Sequence, residues 1–286
     1  MMYDFDNGGI LVRSKTILIG IILIYLLLIL NPLVNGKIID NNLDISVDYI
    51  SGFHLKVLDK RIVLWKQPEI SVPENGYPVL VLFHGASQHA FAWFLGLNQW
   101  SRYETIFTEK ALEKGFFIIA PESIKPIRPG PRAWDIFNDG RDSKDIIFIE
   151  NIINWLEKND LPIDSNSIYC AGFSSGAFMC SYIGHHFGNR FNAIAVHSGA
   201  NSESISLTNR GPYFDLDGSY NFTSSFPPTI IIHGENDGFV PVQCAKNFYS
   251  DLQRNNIPSE LLINPNEGHI WLSQYDFEIL DWFKMY

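Results

Sequence analysis

The stretch Ser167–Gly176, Ser-Ile-Tyr-Cys-Ala-Gly-Phe-Ser-Ser-Gly, constrains this chain more than any other. Ile168–Ala171 is a short apolar run of the kind a buried strand shows. Gly172-Phe173-Ser174-Ser175-Gly176 follows, a G-x-S-x-G, and Ala177–Ile183 after it can go helical. Strand, sharp turn and helix form the setting in which this pentapeptide pushes a serine hydroxyl out at the end of a sheet. Glycine on each flank lets strand and helix approach where a Cβ would collide. The reading that asks for no chemistry is a glycine-rich turn. Whether Ser174 has partners elsewhere in the chain separates the two.

The rest of the chain alternates. Asp44–Ile50 and Arg61–Trp65 read as early strands, with a polar turn inside Leu55–Lys60. Pro78–Phe83, Phe116–Ala120, Ala193–His197, Thr229–His233 and Glu260–Ile263 read as further strands. Phe91–Gly115, Lys144–Lys158, Val242–Asn255 and Ser273–Tyr286 read as helices. Asp142 or Ser143 can cap the second of them. Residues 122–142 and 199–228 read as irregular, and long irregular segments inside a compact domain tend to carry function. Strands apolar on both faces, interleaved with helices, predict an α/β fold: a mostly parallel central sheet flanked by helices on both faces. Chemistry in such sheets collects beyond the carboxyl ends of the strands.

A serine nucleophile needs a base to take its proton and a carboxylate to orient that base. Asp237 lies in the loop after Thr229–His233. His269 lies in the loop after Glu260–Ile263. Alone, Asp237 reads as a turn residue in Asn-Asp-Gly, and His269 as an ordinary loop histidine. Together they stand in the order serine, acid, histidine, each at a strand end, and so become candidate partners of Ser174. Glu235 is the competing carboxylate. An oxyanion needs N–H donors. The Ser175 amide is one candidate. The loop His84-Gly85-Ala86-Ser87 offers the other, with Ala86 first and Ser87 second.

Trp93, Trp134, Phe137 and Trp271 are candidates for a substrate pocket, Trp134 foremost because of its irregular segment; the alternative is that they are core. His84, His89, His185, His186, His197 and His233 read as structural. His185 and His186 are adjacent and do not face one way on a helix. No metal site and no cofactor are expected.

A net charge of −10 without a basic cluster argues against a nucleic-acid partner. The three cysteines, Cys170, Cys180 and Cys244, are too few for a disulfide framework. Arg13 and Lys15 precede a 15-residue apolar run, Thr16–Leu30, and Val34-Asn35-Gly36 follows it. Residues 1–36 therefore read as a signal peptide or signal anchor, and 37–286 as one domain. The expected destination is the secretory pathway. The chain is secreted if cut after Gly36, and single-pass if the segment stays, with membrane contact only there. Asn221-Phe222-Thr223 is a glycosylation sequon.

The residues quoted, with Leu82-Phe-His-Gly-Ala-Ser-Gln88, Ala133-Trp-Asp135, Val196-His-Ser-Gly199 and Ile232–Pro241, resemble the α/β-hydrolases. More narrowly they resemble the poly(3-hydroxybutyrate) depolymerase-like and feruloyl-esterase-like carboxylesterases. The resemblance covers roughly Tyr77–Tyr286. Ala177 stands where members often carry a second glycine, and Ala86 where they often carry cysteine. It implies Ser174 as nucleophile, Asp237 as orienter and His269 as base. The implied activity is cleavage of a small or oligomeric carboxylic ester through an acyl-enzyme. A serine peptidase of the same fold, and a secretory binding protein that keeps the fold without catalysis, are the alternatives.

Overall fold

Val79, Val81 and Phe83 point to one face of strand β4 (Tyr77–Phe83), and Leu80 and Leu82 to the other. All five are at most 2% exposed, so both faces of that strand are covered. The computed structural model that shows this describes residues 44–47, 52–96, 101–124, 132–137, 143–208 and 211–286. Residues 1–36, read above as a signal peptide or anchor, lie outside them. No helix of the described residues is long and apolar enough to cross a membrane.

Among the described residues one sheet has nine strands. Its order is β1 (Asp44–Val47), β2 (Phe53–Leu58), β3 (Arg61–Lys66), β5 (Phe117–Pro121), β4, β6 (Ile163–Phe173), β7 (Ala193–His197), β10 (Thr229–Gly234) and β11 (Ser259–Asn264). From β5 to β11 all neighbours are parallel, while β1, β2 and β3 are antiparallel additions at one edge. This is the mostly parallel sheet that the alternation predicts.

Two layers close it. Helices α3 (Lys144–Lys158), α4 (Ser175–Phe187) and α5 (Val242–Arg254) supply Phe148, Ile152, Met179, Ile183, Phe248 and Leu252 to the core shared with Val79, Val81 and Ile194. On the opposite face α2 (Ser101–Glu113) and α6 (Asp276–Met285) bring in aromatic rings. Phe283 lies 5.2 Å from Tyr169 of β6, and Phe107 lies 4.9 Å from Trp271. Ser143 caps α3, its Oγ accepting the Ile146 amide. Cys170, Cys180 and Cys244 are free and buried. Burial, and then the hydrogen bond with Cys170, hold the Cys180 thiol well above its ordinary range. Burial pushes Cys244 up to about 11.

Some boundaries differ from expectation. The turn placed in Leu55–Lys60 is only Asp59-Lys60, and the residues before it are strand β2. Both turn residues have positive φ, 50° and 64°, as a two-residue type I′ hairpin requires. Asp-Lys is not the Asn-Gly signature of that turn, which hid the hairpin. The helix expected over Phe91–Gly115 is broken. Helix α1 (Ala92–Leu95) ends at Gly96, which is left-handed at φ 51°, and α2 begins at Ser101. The 199–228 segment contains a small hairpin, β8 (Ile205–Thr208) against β9 (Gly211–Phe214). Most of its side chains face solvent, so no burial pattern marks it. The closing helix starts at Asp276, after a tight turn over Ser273–Tyr275.

Candidate active site

The turn between β6 and α4 is tight because of two glycines. A Cβ on Gly172 would sit 2.1 Å from the Gly176 carbonyl oxygen, and one on Gly176 would sit 2.0 Å from that of Phe83. Strand, helix and the neighbouring strand end therefore meet at backbone distance. Ser174 sits at the apex with φ 55° and ψ −117°. A non-glycine residue held there is strained by roughly 1–3 kcal/mol. Its amide donates to the His197 carbonyl at 2.9 Å, and its carbonyl accepts the Ala177 and Phe178 amides.

The hydroxyl so presented meets the two side chains that the sequence proposed. Ser174 Oγ lies 2.9 Å from His269 Nε2, and His269 Nδ1 lies 2.7 Å from Asp237 Oδ2. Asp237 Oδ1 accepts the Phe239 and Val240 amides at 2.8 and 2.9 Å. The buried His233 adds its Nε2, 3.3 Å from Asp237 Oδ2 and 3.0 Å from the Val240 carbonyl. Burial pushes the Asp237 carboxyl up, but the hydrogen bonds from His233 and His269 and the Val240 amide outweigh it and hold it below the usual carboxylate range. An ionised Asp237 accepts Nδ1–H of His269, which leaves Nε2 free to accept the serine proton. Glu235, the competing carboxylate, is instead paired with Lys246 at 3.0 Å on the surface.

The backbone donors also sort themselves. Ser87, second choice for the oxyanion, has φ 64° and donates its amide to the Arg132 carbonyl at 2.8 Å. The Ala86 and Ser175 amides have no acceptor among the described residues. The loop carrying Ala86 is fastened by Gln88, whose Oε1 accepts the Gly85 amide at 2.6 Å. The same side chain donates Nε2 to both oxygens of Glu104, at 2.9 and 3.1 Å. Glu104 is 1% exposed, and burial pushes its carboxyl up to about 8 against the lowering effect of Gln88.

The candidate tryptophans are buried. Trp93, Trp134 and Trp271 are 0%, 1% and 2% exposed, because each is packed under the site. Trp134 donates its ring N–H to the His84 carbonyl at 2.8 Å and its amide to Ser175 Oγ at 3.1 Å. Trp93 and Trp271 meet edge to face at 5.2 Å. Trp271 Nε1 donates to Asp276, which also holds Lys110. Phe137 is half-buried against the core. Asn221 is exposed, on the far side of the β8–β9 hairpin in sequence.

Two groups of residues matter here that the sequence reading did not assign to the site. The aromatic neighbours of His269 are Phe173 and Phe239, with ring centroids at 5.0 and 5.1 Å. His84 directly follows β4, His197 ends β7 and His233 is the last residue but one of β10, and they tie the strand-end loops together. His197 accepts the Leu272 amide at Nε2, lies 3.2 Å from Ser198 Oγ, and stacks on Trp271 at 4.4 Å. Burial above all, then the nearby His233 and His269, keep His197 well below the usual histidine range, so it is neutral. His84 does the same work at β4, accepting the Ser123 amide at 3.1 Å. Histidine at three strand ends was the available signal. His185 bonds Asn201 and His186 bonds the Tyr182 carbonyl, and no group of metal-ligating side chains occurs among the described residues.

Comparison with known proteins gives three results. The model of the prolyl oligopeptidase family (peptidase S9) matches residues 200–285, the part that carries Asp237 and His269. A poly(3-hydroxyoctanoate) depolymerase of Pseudomonas fluorescens is 25% identical over 236 residues, covering 80% of this chain and 81% of its own. A probable dipeptidyl-peptidase 5 of Emericella nidulans is 25% identical over 77% of this chain, which spans only 33% of that relative. Among solved structures, an acetyl xylan esterase from Aspergillus awamori superposes with a TM-score of 0.56 at 16% identity, covering 85% of this chain and 99% of its own. A Zea mays acyl-protein thioesterase 2 gives 0.54 at 17% identity, covering 78% and 97%.

Proposed function

We propose that this chain, an α/β-hydrolase by its fold, is a serine hydrolase that cleaves carboxylic esters. The observation that carries the reading is the continuous run of hydrogen bonds from Ser174 through His269 to Asp237. Ser174 Oγ attacks the ester carbonyl while His269 Nε2 takes its proton. The carbonyl oxygen becomes an oxyanion, and the Ser175 and Ala86 amides, free of other acceptors, receive it. As the intermediate collapses, the carbon–oxygen bond to the alcohol breaks, and His269 returns the proton to the leaving oxygen. Water then attacks the acyl-enzyme by the same route, and Ser174 is regenerated. Asp237 holds the His269 tautomer throughout and stabilises its charged form.

Ester cleavage is supported by the depolymerase relative, which this chain covers over most of both lengths. A peptidase is the second reading, supported by the family model over residues 200–285 and by the dipeptidyl-peptidase 5 relatives. A binding protein without catalysis has no need of the assembled Ser–His–Asp run. For the leader we keep the secretory reading: cleavage after Gly36 or retention as an anchor, with Asn221, exposed, open to glycosylation.

The test is labelling of residues 37–286 by a fluorophosphonate, with parallel turnover of p-nitrophenyl esters and aminoacyl p-nitroanilides. The expected result is labelling and ester turnover, both lost in Ser174→Ala. Preferential turnover of the anilides would move the assignment to a peptidase. A folded wild type that is neither labelled nor active would leave the binding reading.

A further inference from the structure

Phe239 is 76% exposed, more than any other large apolar side chain among the described residues. Single exposed apolar residues are ordinary on a protein surface. This one is not placed at random. Its amide donates to Asp237 Oδ1, so its backbone is fastened to the carboxylate that orients His269. Its ring then lies 5.1 Å from the imidazole, at 45° to it. The turn itself asks for nothing aromatic there. The next residue, Val240, is 4% exposed and fills the apolar place that the turn buries. A polar residue at 239 would donate the same amide and leave less apolar surface in water.

The other ring beside His269 is Phe173, half-buried and packed towards His197 and Trp271. The imidazole thus has one aromatic neighbour turned inward and one turned to solvent. Position decides what the outer one can touch. The oxyanion amides, Ser175 and Ala86, belong to the elbow helix and to the β4 loop. His269 is the group that hands the proton to the leaving alcohol, so the alcohol portion must stand at the imidazole when the carbon–oxygen bond breaks. Phe239 stands there too. Among the described residues no cation lies over its ring, and the chain carries a net charge of −10, which disfavours an anionic alcohol.

We infer that Phe239 is a specificity-determining residue for the alcohol side of the ester, and that the substrates are neutral esters whose alcohol carries an apolar, aryl-bearing group that packs on its ring. This rests on the serine-hydrolase reading above. In the acylation step Ser174 Oγ bonds to the acyl carbon, the bond to the alcohol oxygen breaks, and the serine proton leaves with that oxygen. Phe239 acts only by holding the departing group.

The experiment keeps the acyl part constant. Methyl, 2-hydroxyethyl and benzyl acetate all give the same acetyl-enzyme, so differences in kcat/KM report the alcohol alone. Wild type, Phe239→Ser and Phe239→Tyr are compared, with fluorophosphonate labelling of Ser174 and a melting curve for each. Wild type should prefer benzyl over methyl and 2-hydroxyethyl acetate. That ratio should fall about tenfold in Phe239→Ser and return in Phe239→Tyr, as loss and recovery of an aromatic contact would give. The inference is overturned if wild type is labelled and turns over acetates, yet the benzyl-to-methyl ratio is the same in Phe239→Ser. A wild type that is neither labelled nor active removes the reading beneath it, and the inference with it, and the labelling tells the two failures apart.

Discussion

The imidazole of His197 accepts the amide of Leu272, three residues past His269, at 2.8 Å. It also lies flat on Trp271, with the ring planes at 18°. The end of β7 thereby fixes the loop that brings His269 to Ser174. His197→Ala leaves a buried N–H without a partner, worth roughly 1–3 kcal/mol, and removes a ring contact. The variant should melt lower and lose at least about tenfold in kcat with a smaller change in KM. His197→Gln can still accept the Leu272 amide and should recover part of both. Equal kcat in wild type and His197→Ala would show that the loop needs no such anchor.

Asp237→Asn turns an acceptor into an amide whose N–H₂ can face His269 Nδ1 and favour the wrong tautomer. Ester turnover should drop about 10³–10⁴-fold with the protein still folded. The pH dependence follows from the lowered carboxyl of Asp237. Its ionised form is favoured by folding, so that stabilisation is present above the ordinary aspartate range and is lost as pH falls below it. Wild type should therefore be more stable than Asp237→Asn at neutral pH, with the gap closing in strong acid. Melting curves across pH will show whether it does.

Glu104 has the opposite sign. Its carboxyl is pushed up from 4.5 to about 8 by burial. Below 4.5 folded and unfolded chains are both protonated there, and no penalty exists. Between 4.5 and 8 the unfolded chain ionises while the folded one resists, so stability falls as pH rises, and the loss levels off above 8. The full loss is on the order of 3–5 kcal/mol. Glu104→Gln keeps an acceptor for Gln88 and should flatten this slope, melting higher than wild type at pH about 9 and much like it in mild acid. A variant that follows wild type at every pH would mean that the carboxyl is not confined as described.

Gly176→Ala puts a methyl 2.0 Å from the Phe83 carbonyl oxygen, where backbone must move. The loss should exceed about 3 kcal/mol, enough to appear as poor soluble yield or a far lower melting point. Gly238→Ala is the control, since nothing lies within 4 Å of its added Cβ. It should melt close to wild type.

The sheet was legible because β4, β5, β7 and β10 each contain an uninterrupted apolar run, and only burial on both faces sustains such runs. The meeting of Ser174, Asp237 and His269 could be read because parallel strands all aim the same end at one rim. Less was visible where side chains do not decide the structure. Asp59-Lys60 turns a hairpin through backbone conformation, and β8–β9 keeps mostly solvated side chains. Spacing alone did not separate pocket from core for the tryptophans, and the two hydrogen bonds that hold the buried Trp134 beneath the elbow leave no mark on it. Phe239 could not be singled out either, because exposure is a property of the folded surface and leaves no mark on sequence spacing.

The cysteines have a practical bearing. With Cys170, Cys180 and Cys244 all unpaired and sealed inside, the fold owes nothing to an oxidising compartment. Reductant can be present throughout purification without breaking a cross-link. No thiol is on hand to intercept an electrophile, so a covalent phosphonylating reagent that marks this polypeptide will not be reporting on a cysteine.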